Sequence, residues 1–472
     1  MSLQDYKQIF LTTEEKMKKA CTALMLAAAC LPGFSKEVRA DEHTWTLDAD
    51  FDEGTIINLN HDPNHDQLQL NNFAKPFRFI NVPASARGTV VRVNTDTGEI
   101  VGEYKTAPED RGLNPSRTTV DIHGNVWTGN REIKEDDSDG AAVKIGIVVG
   151  GTRCNADGTD NPNGEYVRLD PDKLTYNTCV DRNGDGLIRT SRGLGDILDW
   201  SDVTDGAGGT NGIVEDAKDE CILLYQRTPD TPKTRHVSVD RESNVWVAGY
   251  LDGPTIFYKL SGKTGAIVDY FDAAAIGCGG YGGTIVNNNF DQILGNDILW
   301  SAGRYRSKLL RYDLSTGTGQ CIENIIDSYG IGIDNDGFIW NNMFNQDTIT
   351  KINPDTGVRV LGFPVPIGGE GGKGVVATED NTIWSANTYT NTITRLDSDG
   401  NILATINVGA EPMGLSVDKA GKVWVTNRGS DNAMRIDPTT NVVDLTVDLG
   451  EGAGPYNYSD MTGSVRLNPP PQ

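Results

Sequence analysis

The sequence is poor in the residues on which most metal and redox chemistry is built. Its 472 residues include five histidines and seven cysteines, and no two cysteines stand in a Cys-x-x-Cys spacing. Neither a zinc ribbon, a thioredoxin-type redox pair nor a copper or di-iron centre built on several histidines fits that inventory. No G-x-S-x-G elbow and no phosphate-binding P-loop occurs. Positive charge is also scarce: 42 Lys and Arg face 66 Asp and Glu, a net charge of −24. So acidic a surface repels nucleic acid and anionic membranes. Apart from Ala20 to Leu31, no apolar run approaches the length of a membrane span.

Tryptophan is uncommon too, but six of the eight recur in one phrase: GNVWTGN, SNVWVAG, DILWSAG, GFIWNNM, NTIWSAN and GKVWVTN, around Trp127, Trp246, Trp300, Trp340, Trp384 and Trp424. The spacings are 119, 54, 40, 44 and 40. A period of about 40 with a turn, an aromatic and short strands marks a β-propeller, whose four-stranded sheets must stack to bury both faces. The two long spacings read as loop insertions, residues 150–220 and the stretch around CGGYGGTIVNNNFDQILGND. Outer strands at 88–106 and inner strands at 456–467 lack partners of their own. Joined, they make a composite closing blade, so the expected fold is an all-β, seven-bladed propeller spanning 88–467. Closure of this kind removes free sheet edges.

Residues 1–40 read as a signal peptide: Lys16, Lys18 and Lys19, the apolar run, then Val38-Arg39-Ala40 before a cleavage point. Cys30 offers a lipidation alternative, without the Leu usual three residues before it. Removal of this segment leaves a charge of −26 and a secreted, extracellular or periplasmic, protein. Residues 41–87 read as an extra strand layer, in which HDPNHD is a solvated turn, and 468–472 as a tail. In an oxidising compartment the remaining cysteines pair as Cys179–Cys221 or Cys154–Cys179, and as Cys278–Cys321 across a blade, with one thiol left over.

The insertion carries a loop suited to a hard cation. Asp181, Asn183 and Asp185 supply side-chain oxygens at positions 1, 3 and 5, Gly186 makes the turn, and Leu187 offers its carbonyl. This pattern resembles an EF-hand or dockerin calcium loop, and Ca2+ is the cofactor it implies, as a staple for the insertion. Arg192 stands where the bidentate acid belongs; Asp196 is the expected substitute, with Asp199 second. The stretch 211–220 echoes the end of such a loop without its first ligands.

The Trp phrase, preceded by inner strands such as PMGLSVD and YGIGID, resembles the propellers of the streptogramin (virginiamycin B) lyase family. That resemblance implies a magnesium-assisted elimination with a His on an inner strand and a Glu three residues after a blade Trp. The matching inner-strand positions here are Ser116, Arg235, Tyr329, Lys373 and Met413, and the positions after Trp are Asn130, Gly249, Gly303, Met343, Asn387 and Asn427. His236 is one residue out of register, which on a strand turns it to the other face unless a bulge returns it. What remains near the axis is Arg117, Arg235, His236, Tyr329 and Lys373, with Arg131, Arg304 and Arg428 behind. Such a mouth suits an anionic small molecule or glycan, because a guanidinium fork matches oxyanions. Two functions are expected from this: a secreted, calcium-stabilised binding module, or an extracellular lyase or hydrolase acting on a lactone, peptide or polysaccharide.

Overall fold

The computed structural model describes residues 46–52, 59–60, 65–70, 77–109, 111–131, 140–170, 175–201, 212–250, 253–287, 297–304, 308–325 and 327–464. The signal peptide and the C-terminal tail lie outside them, as does most of HDPNHD. Among the described residues, the Trp phrases organise six antiparallel four-stranded sheets. Blade 1 comprises Pro115–Val120, Val126–Asn130, Gly140–Ile145 and Ile222–Thr228. Blade 2 comprises Thr234–Val239, Val245–Tyr250, Pro254–Leu260 and Ile267–Asp272. Blade 3 comprises Gly282–Asn287, Asp297–Ala302, Leu309–Asp313 and Thr318–Ile322. Blade 4 comprises Ser328–Ile333, Ile339–Met343, Thr348–Ile352 and Val365–Pro366. Blade 5 comprises Gly372–Ala377, Ile383–Asn387, Thr392–Leu396 and Ile402–Asn407. Blade 6 comprises Pro412–Val417, Val423–Asn427, Asn432–Asp437 and Val442–Asp448.

The closing blade differs from expectation. Its three strands are Phe79–Ala84, Thr89–Asn94 and Ile100–Lys105, so Phe79–Ala84 belongs to the ring and not to a separate layer. The C-terminal segment supplies one inner edge, through Asn81 N to Met461 O at 3.0 Å and Tyr456 N to Pro83 O at 3.3 Å. The closure is therefore three strands plus one, not two plus two. The segment bonds on both sides: Met461 N donates to Ser416 Oγ of blade 6 at 3.0 Å, and Asn457 Nδ2 to Thr118 Oγ1 of blade 1 at 2.6 Å. In blade 3, GGTIVN of the second supposed loop is the inner strand.

Each tryptophan sits on the second strand of its blade directly opposite a base on the third: Trp127 and Lys144, Trp246 and Lys259, Trp300 and Arg311, Trp340 and Lys351, Trp384 and Arg395, Trp424 and Arg435. In five of these the cation lies 5.1–5.9 Å from the indole centroid, where the ring quadrupole favours it. The stem covers the ring and the head leaves the sheet for the next blade. Lys144 Nζ donates to Gly262 O at 2.7 Å, Arg311 Nε to Pro354 O at 2.9 Å, Lys351 Nζ to Ser398 O at 3.0 Å, Arg395 to Pro438 O, and Arg435 Nη1 to Thr95 O at 2.7 Å. Every acceptor lies in the outer hairpin turn of the following blade. In the closing blade Arg92 does the same to Gly146 O at 2.7 Å, and Asn81 stands opposite it in place of a tryptophan.

The insertion after Ile145 forms a three-stranded sheet, Thr152–Cys154, Tyr166–Arg168 and Leu187–Arg189, and a two-stranded one, Val148–Val149 with Tyr176–Asn177. Disulfides join Cys179 to Cys221 and Cys278 to Cys321, and Cys154 is the buried free thiol.

Asp334 shows how these parts combine in blade 4. One oxygen accepts the turn amides of Asp336 at 3.1 Å and Phe338 at 2.8 Å. The other accepts the Trp340 indole at 2.8 Å and lies 3.3 Å from Lys351. Asp334→Ala strands a buried ammonium and an indole N–H, and is expected to cost about 3–5 kcal/mol. Glu411→Ala, which opens the exposed pair with Arg428 at 2.7 Å, should cost about 1 kcal/mol or less. Urea unfolding of the two variants checks this, and equal midpoints would remove Asp334 from its structural role.

Candidate functional site

Inner strands start, and second strands end, at the same end of the ring, and there the inner strands are bulged. The extra residue falls at Ser116 in blade 1, Arg235 in blade 2, Tyr329–Gly330 in blade 4, Lys373–Gly374 in blade 5 and Met413 in blade 6. A bulge re-aims the side chain it carries. Glycine follows it where inner strands crowd: a Cβ at Gly330 would lie 1.7 Å from Lys373 O, and one at Gly414 1.9 Å from Asn457 O.

The re-aimed residues meet a layer of tyrosines. Tyr281, Tyr329, Tyr456 and Tyr458 are buried together, with ring centroids of Tyr329 and Tyr458 4.5 Å apart and those of Tyr281 and Tyr329 5.3 Å apart. Around them stand six cations. Arg131 lies 4.2 Å from the Tyr456 centroid, Lys373 5.6 Å and Arg428 5.9 Å; Arg235 and Arg304 lie 5.2 and 5.0 Å from that of Tyr281. Arg117, wholly buried, donates to Ser116 O at 2.7 Å and Tyr281 O at 3.1 Å, and packs on Tyr458.

Carboxylates are nearly absent from this layer. Among the described residues Arg117, Arg131, Arg235 and Lys373 have none within ion-pair distance, whereas Arg428 has Glu411. Bracing of the ring by ion pairs at the mouth therefore does not account for them. Among the described residues Lys373 Nζ meets Met413 Sδ, at 3.3 Å, and aromatic faces. Arg117 Nε and both Nε and Nη1 of Arg235 are buried without a partner.

This setting moves the titrations. Burial lowers Arg117 to about 9 and Lys373 to about 8. Burial also raises Tyr456, but Lys373, Arg117, the Tyr329 hydroxyl and Arg131 outweigh it and bring the phenol down to about 7. Tyr329, hydrogen-bonded to Tyr456, is raised by burial and by its phenol neighbours. One phenolate among the cations is the arrangement these shifts favour.

His236 does not belong to the mouth. The blade 2 bulge carries Arg235, and His236 lies wholly buried between blades, Nε2 2.6 Å from Ser238 Oγ and Nδ1 3.1 Å from Ser301 Oγ, edge-on to Phe257. Burial and Arg117 lower it to about 3, so it is neutral. Below the tyrosine layer the axial channel is a cavity of about 30 Å³ lined by residues such as Thr118, Val237, Gly283, Val375 and Asp460. That holds water but not a ligand. Arg117, Arg235, Tyr329 and Lys373 are thus brought together, while Asp460 lies deeper. Tyr281, Tyr456 and Tyr458 are the residues the sequence reading missed; the YNY doublet in the last inner strand was the available signal.

In the insertion, Asp181 accepts the amides of Gly184 at 2.7 Å and Gly186 at 2.8 Å, Asn183 Oδ1 that of Asp185 at 2.8 Å, and Asp185 that of Leu187 at 2.8 Å. Asp196 is not turned to them: Arg192 takes its two oxygens, each at 2.8 Å. Glu220 reaches the base of the loop instead, accepting Arg182 N at 2.9 Å and Arg189 N at 2.7 Å. Among the described residues no three His, Cys, Asp or Glu side chains form a metal cage. Nor is any helix long and apolar enough to cross a membrane.

No protein-family profile matches the chain, and no curated protein does. Solved structures similar to it include virginiamycin B lyase from Staphylococcus aureus, at 14% identity over 75% of this chain and 89% of that one, TM-score 0.46. A streptogramin B lyase matches at 15% identity over 73% and 86%, TM-score 0.45. The periplasmic gluconolactonase of Pseudomonas aeruginosa matches at 14% identity over 80% and 96%, TM-score 0.48. Overlaps this loose carry no argument about activity; the propeller rests on the strand pairing of this chain.

The Tyr456 titration has a definite sign. Its folded pKa lies below the ordinary 10.0, so the phenolate stabilises the fold fully above about pH 10 and loses that contribution as pH falls through about 7. Ultraviolet titration should show one phenol ionising near neutrality, and Tyr456→Phe should delete that step alone. A wild-type protein with no phenolate signal below pH 9 would remove Tyr456 from this role.

Proposed function

We propose that this chain is a secreted, calcium-stabilised β-propeller that binds an anionic small molecule or glycan at its cation-lined mouth. The observation that carries the reading is the Arg235 guanidinium, partly exposed, with two buried nitrogens that have no partner among the described residues, in a layer of cations in which Arg428 has an acid, Glu411, and the rest face aromatic rings. A carboxylate or sulfate would supply the missing acceptors, and the rings would flank its carbon skeleton. Secretion is supported by the leader-like first 40 residues and the two disulfides.

A second reading is favoured by the Tyr329–Tyr456 pair. A phenol held as phenolate beside Lys373 and Arg131 is suited to take a proton from carbon next to a carboxylate, the first step of an elimination. Both readings share the ligand class. They differ in whether an unsaturated product accumulates.

Calorimetric titration with sulfate and with a uronic-acid oligosaccharide tests the site. Arg235→Ala should weaken binding by about 1.5–3 kcal/mol, and added salt should weaken it too. Unchanged affinity in the Arg235→Ala, Lys373→Ala double variant would overturn the proposal. Appearance of unsaturated product with wild type but not with Tyr456→Phe would favour the lyase.

For calcium, Asp181, Asn183, Asp185 and the Leu187 carbonyl would be the ligands; the three side chains accept amides of one turn, while recruitment of Asp196 requires Arg192 to release it. Chelation should lower the melting temperature and expose residues 150–220 to protease, because a metal bound only by the folded state stabilises it by mass action. Asp185→Ala should reproduce the effect without chelator. Identical melting and digestion with and without EDTA would discard the calcium reading.

A further inference from the structure

The seam between the closing blade and the insertion contains a second cationic site. Glu103, fully buried on the closing blade, pairs with Arg87 at 2.9 Å and accepts Gly195 N at 2.8 Å. Its own amide donates to Ser191 Oγ at 2.9 Å. The insertion is thus docked on the blade, but the docking leaves a cavity of about 110 Å³ lined by Arg92, Tyr104, Arg153, Val167 and Thr190 among others. That is room for a few waters or for one small ion with a water.

Arg92 is what makes this cavity unusual. It is the closing blade's member of the third-strand series, and five of the six others have a carboxylate close by: Lys144 with Asp121 at 3.2 Å, Lys259 with Asp240 at 3.0 Å, Lys351 with Asp334 at 3.3 Å, Arg435 with Asp444 at 2.7 Å, and Arg395 with Asp380. Arg92 has none among the described residues. Its Nε donates to Asn81 Oδ1 at 2.9 Å and its Nη1 to Gly146 O, while Nη2 is without a partner. The residue is only 2% exposed, so bulk water does not neutralise it.

The neighbouring groups do not neutralise it either. Arg153 adds a second positive charge, its Nη atoms donating to Thr190 O at 2.9 Å and Ser191 O at 2.6 Å. Asp219, buried beside this seam, accepts the amides of Ser191 at 3.0 Å and Cys221 at 2.9 Å; its charge is felt by Arg153 and Tyr104, but among the described residues it makes no ion pair with Arg92. The Tyr104 phenol is raised by burial and stays a neutral donor at physiological pH. A buried, uncompensated guanidinium is costly unless it meets an anion.

We propose that this seam cavity binds a small monoanion, of halide to short-carboxylate size, between Arg92 and Arg153, the two cations that line it. The ion replaces the carboxylate that the other blades carry in their own sequence, and ties the insertion to the ring at the blade where the two chain ends meet. The site is separate from the mouth and does not depend on the function proposed for it.

Crystals of the intact protein grown or soaked in bromide are expected to show an anomalous peak in the seam between Arg92 and Arg153. In solution, chloride should raise the melting temperature above that in a bulky monovalent anion at equal ionic strength. Arg92→Gln should lose this difference, and Arg235→Ala, at the mouth, should keep it. A bromide map with no peak in the seam overturns the proposal even if Arg92→Gln fails to fold, and so does a chloride effect that Arg92→Gln retains.

Discussion

A cation laid on its own blade's tryptophan and hydrogen-bonded to the next blade's turn is the interaction on which the ring depends. Each sheet is amphipathic only in part and cannot stand alone, so something must fix both its distance to the next and its rotation about the axis. Apolar packing alone sets the distance but is non-directional. The third-strand base supplies direction, because one head group must reach one carbonyl. Six seams carry the hydrogen bond, from Arg92 through Arg435, and in four of them the base also lies over its own blade's indole. At the seam after blade 2, Lys259 turns back to Asp240 and Glu242 instead, and the stacked rings of Phe257, Phe271 and Tyr312 occupy the joint between blades 2 and 3.

Once the outer rim is held in this way, the inner strands have little freedom left. They converge on the axis so closely that glycine is required at Gly330 and Gly414, and the chain accommodates the crowding with bulges at one end. The same bulges deliver Arg235, Tyr329 and Lys373 to the mouth. The candidate site is therefore a product of ring closure: five blades place a side chain at a common depth because each meets the same steric problem.

How much of this was legible in the sequence depends on what was repeated. The tryptophans recur in one type of phrase, a turn, a branched residue, Trp and then small or polar residues, so blade number and the second strand of each blade could be read directly. The closing blade hid its first N-terminal strand because Asn81 stands opposite Arg92 where a tryptophan would mark the phrase. Register turned His236 away from the mouth and only a bulge could have returned it; the bulge falls on Arg235 instead, a choice between neighbours that the sequence does not reveal. The tyrosines of the mouth come from positions with no common phrase, Tyr281 ahead of an inner strand and Tyr456 and Tyr458 in the closing segment. Only the closed ring brings them together. Pairing of the third-strand bases with the tryptophans was present in the sequence at an offset of 11 in blades 3 to 6, lengthened to 13 in blade 2 and 17 in blade 1, but its meaning needs the next blade's turn.

The electrostatic contrast between the two ends of the argument is the most informative feature of the molecule. A chain with 66 acidic residues could have placed a carboxylate beside each buried cation, and along the outer rim it largely does so. At the mouth it places phenols there instead. A carboxylate would be ionised at every physiological pH and would quench the cations permanently, whereas Tyr456, brought to about 7, is an internal counter-ion that takes up or releases its charge near neutrality. One phenolate offsets only part of the charge of six cations, and the layer's attraction for an external anion grows when that phenol is protonated. The choice of tyrosine over aspartate thus leaves the mouth able to accept a ligand that a conventional set of ion pairs would exclude.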